Sequence, residues 1–196
     1  MVSRDRTIGM VAMLILLNGP PAIGKSTLAR RFVDDHPLAL NLDIDVVRSL
    51  LGRWIEQPTD AGLAARAIAI AMAEAQLRSG RHVIVPQLVG RVEFIEQLQT
   101  AADRVDAQFV EIALMATRAE VRTWLEERST NPRDQTHIDA AQMFERSEHR
   151  DPVSEMYDAF VRANRSCGRF RGSAGLRASP TISTSPSLRC WRRRLR

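Results

Sequence analysis

Lysine is almost missing from this chain: Lys25 stands alone against 27 arginines. Acid is missing from Arg162 onward, where ten arginines meet no Asp or Glu. The formal net charge of +5 over 196 residues therefore averages two unlike regions. Residues 1–161 hold 18 basic and 23 acidic side chains, a balance of −5, and the tail carries +10. A pI near 10.4 would normally point to a nucleic-acid partner, but here the basicity belongs to the tail. The acidic body argues against such a partner. Cysteine is scarce too: Cys167 and Cys190 both lie in the tail, so residues 1–161 form no disulfide. That fits a reducing, cytoplasmic setting. No apolar run reaches the roughly 18–20 residues of a membrane-spanning helix. Arg4 and Arg6 ahead of Ile8–Leu17 look like the start of a signal peptide. The stretch has no small-residue cleavage site and runs straight into a glycine loop, so it reads as a buried strand. The four histidines, His36, His82, His137 and His149, have no metal-site spacing.

What is present is an ordinary globular composition, 44% hydrophobic and 26% charged, of a length that suits one α/β domain. Strand and helix patterns alternate. Val11–Leu17 is a continuous apolar run, as in a parallel strand buried on both faces. Helix is expected over Lys25–Asp35, Asp45–Leu51, Asp60–Ser79, Val92–Val105, Arg118–Ser129, from near His137, and over Val153–Ala163. Further strands are expected at Leu38–Leu42, His82–Val85 and Phe109–Leu114. The pattern predicts a three-layer α/β fold: a parallel sheet of four to five strands with helices on both faces. The domain spans 1–163, and 164–196 is a basic tail without hydrophobic period. The tail reads as disordered. It also reads as an out-of-frame end: shifted by two bases, GC-rich codons for Pro180–Arg196 can encode an acidic turn and a helix.

Gly19-Pro20-Pro21-Ala22-Ile23-Gly24-Lys25-Ser26 matches G-x-x-x-x-G-K-[ST], with Thr27 next, between an apolar strand and a helix. In a P-loop the glycines let the backbone wrap around phosphate, and the first helical amides face the anion. Lys25 would reach the β- and γ-phosphates of ATP, and the Ser26 hydroxyl would ligate Mg²⁺. A chain that uses arginine elsewhere keeps a compact ammonium where a point charge must fit inside a loop. Strand two ends in Asn41-Leu42-Asp43-Ile44-Asp45-Val46-Val47-Arg48, at the sheet edge that faces the ligand crevice. An acid there can take a proton from a hydroxyl, and an arginine one turn later can hold the acceptor. A helix-capping acid with a solvent-facing arginine explains the same spacing.

The loop followed about twenty residues later by Asp43-x-Asp45-x-x-Arg48 resembles the small P-loop kinases. These are the zeta-toxin-like, 5′-hydroxyl polynucleotide, chloramphenicol-phosphotransferase-like and gluconate kinases, commonly described as AAA-domain ATPases. The resemblance covers roughly residues 12–160. It implies Asp45 as general base and Arg48 as acceptor-binding residue, with Asp43 as an alternative base or a holder of Mg²⁺-bound water. It also implies an arginine-bearing lid at about residues 118–137. Arg118, Arg122, Arg128 and Arg133 fall there. Arg128 is then the catalytic lid residue, with Arg122 and Arg133 on nucleotide; an Arg122–Glu126 pair on a solvated helix is the plainer alternative. Strand three ends Val85-Pro86-Gln87, without the acid of a Walker B motif. The expected activity is transfer of the ATP γ-phosphate to a hydroxyl of a small molecule. Alternatives are a regulatory ATP-binding protein, an ATPase, a truncated kinase and a nucleic-acid 5′-hydroxyl kinase.

Overall fold

Apolar residues at every position of a strand have only one good place, the middle of a parallel sheet covered on both faces. β1 (Met13–Asn18) takes that place in the computed structural model, which describes residues 11–130, 138–139, 151–166 and 189–194. β1 pairs in parallel with β3 (Val83–Pro86) on one side and β4 (Gln108–Met115) on the other. The short β2 (Leu40–Asn41) pairs in parallel with β3. The order is β2-β3-β1-β4-β5. Strand alternation divides the interior. Leu14 and Leu16 join Val83, Val85 and Phe109 on one face, and Ile15 and Leu17 join Ile84 and Val110 on the other.

Helices cover both faces. α1 (Lys25–Asp35) lays Leu28, Ala29, Phe32 and Val33 on the second face. α2 (Ile44–Ser49), α3 (Pro58–Arg78) and α4 (Val92–Asp103) contribute to the larger cluster on the first. α3 buries Ala61, Ala65, Ala69, Ala73 and Leu77, one row at four-residue spacing. Small side chains along that row bring the helix close to its neighbours. α5 (Arg118–Thr130) and α6 (Pro152–Ser166) follow β4. They are joined by ion pairs of Arg118 with Asp158 and of Arg122 with Asp151, and α6 buries Phe160 completely. Tyr157 Oη donates to the Ala116 carbonyl at 3.0 Å, tying α6 to the exit of β4.

The expected α/β layering and parallel sheet of four strands are present, and α1 has the expected bounds. The helix expected near His137 begins outside the described residues. One segment of the tail departs from expectation. Arg189–Arg194, read from sequence as irregular, form β5, antiparallel to β4 along Val110–Met115. A fifth strand is therefore present, but not a parallel one, and the edge of β4 is covered. The physical reason is that a ladder is made by backbone amides and carbonyls. It needs no hydrophobic period, which the tail lacks.

Candidate phosphate and acceptor site

The two glycines of the loop are needed for different reasons. A Cβ on Gly19 would stand 2.9 Å from the Leu114 carbonyl oxygen and 3.1 Å from its Cβ, so the loop passes β4 with no room for a side chain. Gly24 has φ of 93°, a left-handed conformation that turns the chain into α1. Ala22 is also left-handed, with φ of 61°. Ile23 is buried, and Ser26 and Thr27 are exposed in the first turn of α1. Their amides lie among those that lack a carbonyl four residues back, the usual anion-binding end of a helix. The side chain of Lys25 curls into the loop, where Nζ donates to the carbonyls of Gly19 at 2.9 Å and Pro20 at 2.8 Å. Burial pushes its pKa from 10.5 to about 7, and the Arg128 guanidinium adds to that. The charges of Asp45 and Asp43 act in the opposite direction.

Asp43 caps α2, its Oδ1 accepting from the Asp45 amide at 2.9 Å. Its carboxylate thus fixes the turn that carries Asp45. Asp45 forms an ion pair with Arg48 at 3.0 Å; the Arg48 side chain is 15% exposed and that of Asp45 41%. Arg48 also lies over the Trp54 ring, 4.8 Å from its centroid. Asp43, Asp45 and Arg128 thus act on the charge of Lys25, and Arg48 joins them through Asp45. Arg118 and Arg122 are instead occupied by α6: Arg122 pairs with Asp151 at 2.7 Å, not with Glu126. Arg133 lies outside the described residues.

Sequence reading missed a polar network beneath the loop. Asn18 Nδ2 donates to Glu111 Oε1 at 3.1 Å and to the Val89 carbonyl at 3.2 Å, while the Val89 amide donates to Asn18 Oδ1 at 2.9 Å. Both Asn18 and Glu111 are buried. The network ties β1, β4 and the loop after β3 together just before Gly19. Its signal was a lone acid inside the apolar run of β4. Arg66 was missed too, a single base within the Ala-rich part of α3.

Among the described residues no group of three or more His, Cys, Asp and Glu could hold a metal ion. β3 ends in Pro86, with Gln87 next, so Mg²⁺ would depend on the exposed Ser26 hydroxyl together with the phosphates. That donor set suits a cation carried in with a nucleotide. No described helix is long and apolar enough to cross a membrane.

Residues 14–152 match the model of a family described as an AAA domain. A candidate kinase from Chloroflexus aurantiacus shares the fold with a TM-score of 0.54 at 21% identity, over 67% of this chain and 75% of that one. A chain of the Pnkp1/Rnl/Hen1 RNA repair complex does so with a TM-score of 0.53 at 16% identity. That match covers 87% of this chain but only 49% of the longer one. No curated protein matches significantly. With residues 14–152 matched, well over half of its length, the chain belongs to this AAA domain family, as a P-loop nucleotide-binding protein of small kinase-like fold.

Proposed function

We propose that this protein is an ATP-dependent phosphotransferase that moves the γ-phosphoryl group of ATP onto a hydroxyl of a small molecule. The observation that carries the reading is the Asp45–Arg48 pair within electrostatic reach of Lys25. Gly19–Thr27 bind the nucleotide phosphates, with Lys25 on the β- and γ-oxygens and Ser26 toward Mg²⁺. When bound, Mg²⁺ screens charge on the β- and γ-phosphate oxygens. Asp45 is the base. The acceptor hydroxyl gives its proton to the Asp45 carboxylate as its oxygen bonds to the γ-phosphorus. The bond from that phosphorus to the β–γ bridging oxygen breaks, and ADP leaves with the electron pair. Arg128 offsets charge on the transferring group, and Arg48 holds the acceptor. Arg122, paired with Asp151, reaches nucleotide only if that ion pair opens.

Asp45→Asn tests the reading. It should keep ATP affinity and slow transfer by roughly 10²–10⁴, the usual worth of a positioned general base. An unchanged turnover number would move the role to Asp43 or remove it. One observation favours a second reading, a regulatory ATP-binding protein: β3 ends without an acid. Tight Mg-ATP binding with no transfer to any hydroxyl acceptor would support it.

A further inference from the structure

The acceptor edge of the sheet carries more positive charge than one Asp–Arg pair accounts for. Arg48 lies in the last turn of α2, Arg66 lies in α3, and Arg91 is the residue that precedes α4. Val47, Ala65, Val89 and Phe94, close in sequence to these arginines, belong to one buried cluster. Arg66 lies over the Phe94 ring, 5.6 Å from its centroid, and Phe94 stands three residues after Arg91. Arg48 lies over Trp54, and its Nε is buried without a hydrogen-bond partner among the described residues. No carboxylate among the described residues forms an ion pair with Arg66 or Arg91. The charges act on one another. Burial weakens the hold of Arg66 on its proton, Arg91 and Arg48 weaken it further, and Asp45 opposes them.

We propose that Arg48, Arg66 and Arg91 form the anion-binding half of the acceptor site, so that the acceptor is a small hydroxylated organic anion bearing a carboxylate or a phosphate. This rests on the phosphotransferase reading above. Three guanidiniums with a single ion pair among them, Arg48 to Asp45, leave repulsion that a neutral acceptor would not relieve. Planar guanidinium forks match carboxylate and phosphate oxygens in pairs. The same anion would also serve the chemistry. By taking the Arg48 guanidinium it releases Asp45 from its 3.0 Å ion pair and frees the carboxylate to meet the acceptor hydroxyl.

Inorganic phosphate and acetate are titrated into the full chain with the loop filled by Mg²⁺ and the β,γ-imido analogue of ATP. They are titrated in parallel into Lys25→Ala, whose loop is disabled. In both settings Arg66→Gln and Arg91→Gln should each weaken the anion about tenfold, the worth of one charge-assisted hydrogen bond. Arg91 is exposed, so Arg91→Gln keeps the proposal testable should Arg66→Gln fail to fold. Tighter phosphate than acetate assigns a phosphorylated acceptor, and the reverse a carboxylate. Unchanged affinity in the folded variants, or no binding of either anion to the parent, overturns the proposal. If the analogue fails to bind the parent while Lys25→Ala still binds anions through the arginines, the phosphotransferase reading falls and the anion site stands. If the analogue binds and the arginines are silent, the opposite holds.

Discussion

Lys25 is half-buried in its own loop before any phosphate arrives, and this sets a measurable proton balance. A lysine held near pKa 7 is mostly neutral at pH 8. Polyphosphate against Nζ restores the ammonium, so Mg-ATP binding at pH 8 should take up about 0.9 proton. At pH 6 the side chain is already charged and its uptake should fall to about 0.1. Calorimetry in two buffers of different ionisation enthalpy reads the difference. A binding heat independent of buffer at pH 8 would remove Lys25 from the phosphates. The same displacement gives a direction for stability. Between pH 7 and 10.5 the unfolded chain binds more protons at this residue, so its contribution to the unliganded fold improves as pH rises through that window. The phosphate loop was legible residue by residue, because its chemistry fixes both residue types and their spacing. The roles proposed for Arg66 and Arg91 were not, because no local spacing links a residue within α3 to one that precedes α4.

At the scale of elements, the loop is held as firmly by β4 as by its own turn. Gly19→Ala sets a Cβ against the Leu114 carbonyl, a backbone atom that cannot step aside cheaply. Stability should drop by about 1–3 kcal/mol, the range for overpacked sites. Gly24→Ala meets no neighbour within 4 Å and suffers only from its φ, which costs about 1 kcal/mol. Denaturant unfolding of the two variants compares them; equal losses would mean that contact with β4 does not govern the loop. Element reading succeeded where one local signal dominated. α1 was bounded by Gly24 on one side and by His36-Pro37 on the other. β2 was expected over Leu38–Leu42 and pairs only at Leu40–Asn41, since the chain turns at Asp43 into α2 while β3 runs on to Pro86. Leu38 has φ of 66°, a turn that keeps the first two residues of the expected strand out of the ladder.

Across the whole molecule, one strand from the basic tail closes the sheet of an acidic body. Residues 1–161 carry −5 and the tail +10, and four of the six residues of β5 are arginine. Without β5 the outer edge of β4 would present unpaired amides and carbonyls, a template for pairing with another chain. Ordering six strand residues costs about 1–2 kcal/mol each, which offsets most of what the ladder and the charge attraction supply. The strand should therefore be weakly held, and its net worth should depend on salt. A chain ended at Ser166 should unfold with a midpoint only a few degrees lower, as expected for a loss near 1 kcal/mol in a domain of this size. It should also self-associate more readily, as sizing chromatography would show. The difference in midpoint should shrink as ionic strength rises from about 0.01 to 0.5 M, because the screening length falls from about 30 Å to a few ångströms. A truncated chain that melts with the full one at every salt concentration and stays equally monodisperse would show that the edge of β4 does not need the tail.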